Sequence, residues 1–262
     1  VGGRVDRTAR GGGRGEAIRT RQIAGGRLVN DFEALRRNAF CANLELAKYG
    51  LALFTWGNAS QMDRARGLIA IKPSGVPYDE MKAEDLPIVD LDGKVVDGSF
   101  RPSSDLATHL ELYRAFGEIG GVTHTHSTHA TAWAQAGVDL PAEGTTHADY
   151  FYGPVPCSRS LTNEEIEDAY ERNTGLVIVE TMKARISNAL KTPAALVNGH
   201  GPFTWGRDAA DAVHNAVVLE ECARMAMLSR LVAPARALSQ TLLDKHFLRK
   251  HGPGAYYGQT RR

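Results

Sequence analysis

The chain has 262 residues, 43% of them hydrophobic, and a formal net charge of +1. That is enough apolar material for one large core or two small ones, and no run of eighteen or more apolar residues suggests a membrane span. Cys41, Cys157 and Cys222 lie far apart without C-x-x-C spacing, which argues against a disulfide framework or a cysteine-rich zinc module and fits a reducing, cytoplasmic compartment.

Residues 1–29 hold seven arginines against Asp6 and Glu16, so the rest of the chain is mildly acidic. With no basic stripe there, nucleic acid is a poor candidate for the main ligand. The same stretch is rich in Gly and Arg, lacks apolar periodicity and has no secretory-type apolar segment, so no fixed structure is expected in it. The chain opens with Val, and Val29 directly precedes the first helical signal. The native start is expected near Val29, with the leader a gene-start artefact, a single domain over 30–259 and a disordered tail at 260–262.

From Asp31, a candidate N-cap, Phe32, Leu35, Ala39, Ala42 and Leu46 keep helical spacing up to Gly50. Residues 51–55 read as a buried strand, ending in the polar turn Trp56-Gly57-Asn58-Ala59-Ser60, where backbone amides can meet a ligand. A second strand over 68–71 is closed by Lys72-Pro73-Ser74-Gly75, a tight turn with Lys72 and Ser74 as anion donors or simply a hairpin corner. Segments 86–91 and 94–96, joined across Asp92-Gly93, form a hairpin. Arg101-Pro102-Ser103-Ser104-Asp105 then opens an amphipathic helix through Leu106, His109, Leu110 and Tyr113. Hydroxyls and a carboxylate at a helix start serve as caps, and such starts also collect phosphate.

Gly120-Gly121 reads as a hinge before Val122-Thr123-His124-Thr125-His126-Ser127. In an extended run the period of two points both imidazoles to one face, which is half of a metal site or a chance dipeptide on an exposed strand. Ser127 begins a helix stopped by Gly137, with His129 in a surface or packing role. The run 144–150 is dense in polar groups between apolar flanks and reads as a site lining. A charged helix is expected over 163–172 and another over 176–186 after Thr174-Gly175, with a strand over 176–179 as the alternative. A short strand over 194–197 leads into Asn198-Gly199-His200-Gly201-Pro202, where a histidine between glycines suits a ligand. Helices follow from Asp208 to 231 and over 242–250, and the pair Tyr256-Tyr257 suggests that the tail docks.

Thr55-Trp56-Gly57-Asn58, Lys72-Pro73-Ser74-Gly75, Pro102-Ser103-Ser104-Asp105, His124-Thr125-His126-Ser127, the run 144–153, His200-Gly201-Pro202-Phe203 and the tail 241–259 together resemble the class II aldolase and epimerase family. They do so in one order, over nearly all of 30–259. The resemblance implies an α/β fold, three layers α/β/α around a central, largely antiparallel sheet, and a homotetramer with active sites between subunits. It implies one divalent metal per subunit, zinc first with manganese or cobalt as alternatives, on His124, His126 and His200, with Asp105 as a ligand or its immediate partner. Gly57, Asn58, Lys72, Ser74, Gly75, Ser103 and Ser104 become substrate and phosphate contacts, and His246 a further active-site position. Asp149 and Tyr257 resemble the acid/base pair, with Tyr257 donated by the neighbouring subunit. One departure is Asn198-Gly199-His200, where many relatives carry His-Ser-His; only the last histidine corresponds to the ligand.

The implied activity is interconversion of L-ribulose 5-phosphate and D-xylulose 5-phosphate, in arabinose or ascorbate catabolism. The inverted carbon, C4, is not next to the carbonyl, so breaking C3–C4 is easier than removing its hydrogen. The charge left on C3 then lies beside the C2 carbonyl, where a metal holding both oxygens can stabilise it. The other fragment must stay anchored by its phosphate while its aldehyde turns over. An aldolase releasing two products is the nearest rival, but in the resemblance those enzymes carry Glu where this chain has Asp105 and lack the His147-Ala148-Asp149 run. A non-catalytic sugar-phosphate binder would not require Asp149 and Tyr257, and no H-E-x-x-H helix supports a metallohydrolase.

Overall fold

The computed structural model describes residues 32–257, so the expectations for Asp31, for 1–29 and for 258–262 lie outside the described residues. The strands are β1 (Asn58–Asp63), β2 (Leu68–Ile71), β3 (Ile88–Asp90), β4 (Val95–Asp97), β5 (Gly121–His124), β6 (Ala194–Val197) and β7 (Gly201–Gly206). They pair in the order β4-β3-β2-β1-β5-β7-β6, and every strand pairing is antiparallel.

The period of two sorts side chains onto two faces. Ile69 and Ile71 of β2 point to one face, with Val122, Ala195, Val197, Phe203 and Trp205, while Ala70 points to the other, with Ala59 and Ile88. The first face is covered by α2 (Leu106–Ala115) and α5 (Asn163–Arg185), through Leu110, Tyr113, Ile178 and Met182. The second is covered by α1 (Glu33–Lys48) and the first half of α6 (Ala209–Val232), and further along by α3 (Thr128–Ala136), whose Trp133 meets Leu219, Ala223 and Leu196. A short α4 (Thr145–Ala148) and α7 (Gln240–His251) complete the helices. This is the three-layer α/β/α fold that the resemblance implies.

Several local expectations are corrected. Residues 51–55 are not a strand: Trp56 N–H donates to Leu53 O at 2.9 Å in a turn, Phe54 has φ of +54°, and its side chain is 77% exposed. The strand starts instead at Asn58, within the stretch expected to be a polar turn. The cause is tertiary, because the fully buried Asn43 of α1 donates to Ala59 O and accepts from Ala59 N–H, both at 2.8 Å. Polar β1 side chains stay buried because each finds a partner: Ser60 Oγ meets His109 and Tyr113, and Gln61 Oε1 accepts from Ala209 N–H at 2.7 Å.

The two helices expected over 163–172 and 176–186 are one element, α5, broken at Ala169. Gly175 does not cap a second helix; a Cβ there would stand 2.8 Å from Glu111 and 3.0 Å from Thr108 O, so it lets α5 cross α2 closely. Gly121 lies inside β5 and is no hinge, since a Cβ on it would meet Asp208 O at 2.2 Å. Strand β7 is new, because Gly-Pro-Phe-Thr-Trp-Gly lacks polar alternation and is buried throughout.

Candidate active site

Strand β5 ends at His124, so His126 stands in the link to α3 and not on the strand. The two rings still meet: their Nε2 atoms are 3.1 Å apart. His200, in the turn between β6 and β7, brings its ring centroid to 4.7 Å from that of His124 and 5.1 Å from that of His126. One nitrogen from each of the three lies within 4.8 Å of the others. His124 forms the buried floor, His200 is half-buried, and His126 is exposed at the mouth.

The floor is rigid. His124 stacks on Phe203 at 4.2 Å, and its Nδ1 lies 3.0 Å from Pro202 O. A carbonyl only accepts, so Nδ1 carries the proton and Nε2 offers its lone pair to the cluster. Burial pushes the His124 pKa down to about 3, and it also lowers those of His126 and His200. Three neutral imidazoles are therefore available as ligands at pH 7. Two nitrogens on a tetrahedral zinc with bonds of about 2.0–2.1 Å stand about 3.3 Å apart, close to the His124–His126 separation. The donor set fits a divalent metal.

Asp105 lies outside this three-histidine group. It occupies the N-cap position of α2, yet its side chain does not cap the helix. Instead Asn58 Nδ2 donates to Asp105 Oδ2 at 2.6 Å. Burial acts to raise its pKa, but His124, His109, the Asn58 hydrogen bond and His200 together hold it below the usual value. An ionised carboxylate next to three imidazoles adds to the cation-attracting potential. Asn58 Oδ1 is buried without a partner, an acceptor left over at the site.

The residues expected to contact phosphate lie on three loops tied to each other. Ser74 N–H donates to Arg101 O and Ser103 N–H to Lys72 O, both at 2.9 Å, which zips the 72–75 turn to the segment carrying Ser103 and Ser104. Gly57 has φ of +74°, and a Cβ there would sit 2.8 Å from His124 O, so only glycine lets this loop approach the end of β5 so closely. Tyr78 holds that loop by donating to Trp56 O and Gly57 O at 2.9 Å. Ser74, Gly75 and Ser104 are exposed, whereas Lys72 is buried and spends hydrogen bonds on Val76 O at 2.6 Å and Pro73 O at 3.4 Å. Burial pushes its pKa down to about 8.

Asp149, His246 and Tyr257 meet elsewhere. The Asp149 carboxylate accepts from Arg249 and His246 and lies 3.5 Å from Lys250 Nζ, and Tyr257 stacks beside Arg249 and Lys250, 5.1 and 4.4 Å from the ring centroid. Three residues after Asp149, Tyr152 N–H donates to Lys191 O just before β6, whereas His200 follows the end of β6. Tyr150 and His251 line a cavity of about 130 Å³ with Arg207, Asp211 and His214. Tyr150, next to Asp149, thus lies near the Arg207 end of β7, a six-residue strand of about 17 Å, while His200 precedes its Gly201 end. Among the described residues no hydrogen bond, ion pair or ring contact joins Asp149, His246 or Tyr257 to the histidine cluster.

Two residues were not singled out from sequence. Tyr170 places its hydroxyl 3.2 Å from His200 Nδ1. Glu220 of α6 accepts from His129 N–H and Ala130 N–H at 2.9 Å and bonds His129 Nδ1 at 2.7 Å; it stands in for the side-chain cap that Ser127 does not make, and thereby fixes the start of α3 two residues after His126. Neither carries a local signal, since one lies in a charged helix and the other in the middle of a long one.

Comparison with known proteins agrees with this picture. The chain is 59% identical over 228 residues to L-ribulose-5-phosphate 4-epimerase UlaF of Salmonella paratyphi B, covering 87% of this chain and 99% of that protein. Among solved structures, an L-fuculose 1-phosphate aldolase superposes with a TM-score of 0.69 at 26% identity, over 81% of this chain and 94% of the other. L-fuculose 1-phosphate aldolase from Glaciozyma antarctica PI12 shares the fold, with a TM-score of 0.68 at 18% identity over 87% of this chain and 85% of that one. The sequence pattern of the class II aldolase and adducin N-terminal domain matches residues 37–227, and the chain belongs to that family.

Proposed function

We propose that the protein is a divalent-metal-dependent sugar-phosphate epimerase that interconverts L-ribulose 5-phosphate and D-xylulose 5-phosphate by cleaving and re-forming C3–C4. The observation that carries this reading is the cluster of His124, His126 and His200 opening beside the joined loops of Gly57, Ser74 and Ser103. The 59% identity to a 4-epimerase favours this reaction over others in the family.

His124, His126 and His200 would hold the ion, with Asp105 adjacent. A divalent ion there, zinc by preference with manganese or cobalt as alternatives, supplies Lewis-acid stabilisation of the oxygens on C2 and C3. The hydroxyls of Ser74, Ser103 and Ser104 and the backbone amides of Gly75 and Ser104 anchor the phosphate while the aldehyde end of the departing fragment rotates. Asn58 holds Asp105 in place through its amide nitrogen at the edge of the substrate site, and Lys72 adds positive charge behind the anchoring turn. Re-addition to the opposite aldehyde face needs a proton acceptor and a donor on opposite sides, roles that Asp149 and Tyr257 divide.

Because neither contacts the histidine cluster of its own chain, we infer that these two serve the metal of a neighbouring copy, in a homotetramer with sites between subunits. Exposed Phe54, Trp56, Leu231 and Val232 are consistent with such surfaces. Among the described residues no helix is long and apolar enough to cross a membrane. We place the enzyme in the cytoplasm, in pentose catabolism of arabinose or ascorbate origin, with one catalytic domain over 30–259.

The test is incubation with L-ribulose 5-phosphate with and without a chelator, following D-xylulose 5-phosphate. Conversion that chelation stops and added zinc restores is expected. The structural likeness to an L-fuculose 1-phosphate aldolase keeps one second reading, an aldolase. Stoichiometric accumulation of two cleavage products without epimer would replace the first reading by the second.

A further inference from the structure

Helix α5 does not run straight past the histidine cluster. It breaks at Ala169, with φ of −139° and ψ of 68°, and side chains satisfy carbonyls on both sides of the break. Asn173 Nδ2 donates to Glu165 O at 2.8 Å, and Thr174 Oγ1 donates to Tyr170 O at 2.9 Å. A break with its own hydrogen-bond partners is a built feature and not fraying. The first residue beyond it is Tyr170, whose hydroxyl stands 3.2 Å from His200 Nδ1 and whose ring lies at 30° to the imidazole with centroids 6.0 Å apart.

His200 needs an orienting partner more than His124 does. His124 is buried, stacked on Phe203 and bonded to Pro202 O. His200 is half-buried in a turn, between Gly199, with φ of +71°, and Gly201. Among the described residues the contact to Tyr170 is the one hydrogen bond its side chain makes. A histidine that ligates a metal through one nitrogen is fixed in tautomer and rotation by the oxygen its other nitrogen bonds.

We propose that Tyr170 is a positioning residue of the metal centre: its hydroxyl accepts the Nδ1 proton of His200 and thereby frees Nε2 for the ion shared with His124 and His126. The inference rests on the metal-binding reading given above. It adds a residue from α5, which no motif marks, to the groups that decide how tightly the ion is held. The phenol proton is left free to point towards solvent at the mouth of the site.

The test uses the full chain stripped of metal and titrated with Co²⁺ alone, read by visible absorption, for wild type and Tyr170→Phe. This variant removes one oxygen from a residue that is 37% exposed, so the thermal midpoint of the metal-free protein should not move. Loss of one outer hydrogen bond to a ligand should weaken Co²⁺ binding about 10- to 100-fold and alter the absorption envelope. Equal affinity and an identical spectrum in both proteins would overturn the role of Tyr170. So would a fall in the metal-free midpoint that accounts for the weaker binding. If wild type itself bound no Co²⁺, the metal-binding reading would fall, and the Tyr170 proposal with it.

Discussion

Arg249 grips the carboxylate of Asp149 through both oxygens, its Nη2 lying 2.9 Å from each, and His246 Nδ1 adds a contact at 3.0 Å. Burial acts to raise the Asp149 pKa, but these bonds and the charges of Lys250 and Arg249 outweigh it and hold the carboxyl below its usual range. At neutral pH Asp149 is an acceptor ready for a proton. Asp149→Asn should lower turnover about 10²- to 10⁴-fold, the span of a general acid/base group, with metal content unchanged. Arg249→Met should move the acid limb of the pH–rate profile to higher pH, because burial then raises the carboxyl unopposed by the guanidinium. An unshifted limb would show that Asp149 does not set it.

Tyr257 stands at the other side of the same cationic group, with Arg249 and Lys250 over its ring. Tyr257→Phe keeps the ring and removes the transferable proton. Turnover should fall about 10²- to 10⁴-fold, while metal content by elemental analysis and the thermal midpoint stay at wild-type values. Near-normal turnover would remove Tyr257 from the chemistry.

Asn43 is an architectural counterpart of these residues. Its carboxamide brackets Ala59 and also donates to Ala39 O at 2.8 Å, fully buried. Asn43→Ala leaves an N–H and a carbonyl of β1 without their partners, each a loss of about 1–3 kcal/mol. Chemical denaturation should show destabilisation of about 2 kcal/mol or more. A change within experimental error would mean that β1 is fixed by its strand neighbours alone.

His109 makes the metal-free protein sensitive to acid. Burial pushes its pKa down to about 4 despite the opposing charge of Asp105. Between about 6.5 and 4 the unfolded chain therefore binds a proton that the folded chain refuses, so stability falls as pH falls, by about 1.4 kcal/mol per pH unit for this group. His109→Gln should flatten the stability curve of metal-free protein by that slope over that window. His124 contributes to the same window in both proteins, so the difference between them isolates His109.

The parts of the site legible in the sequence were those whose local pattern is also their function. His200 between glycines, the Lys72 to Gly75 turn and the helix after Asp105 needed only spacing and turn chemistry, and each lies in the turn, link or helix start expected for it. The apolar run 51–55 misled, because strand propensity there lost to a turn at Leu53 and Phe54, while the polar Asn58–Asp63 was pulled into the sheet by Asn43, Ala209 and His109. Asp105 reads as a cap and is not one; its partner, Asn58, is 47 residues away. Tyr170 and Glu220 were invisible for the same reason, since their meaning comes from what faces them across the fold. The resemblance to class II aldolases supplied the layers, the two groups of candidate residues and the expectation that Tyr257 comes from a neighbouring subunit.

If, as proposed, the Asp149 group serves the histidine cluster of a neighbouring copy, the working unit is a pair of chains. A solution diluted until copies part should lose turnover while every polypeptide remains folded and metal-loaded. Two dead variants, His124→Ala and Asp149→Asn, should complement each other when dissociated and reassembled together, because some boundaries then join an intact metal centre to an intact proton acceptor. On that reading activity depends on contacts between copies, and any change that loosens them should act as an off switch without touching a reacting group.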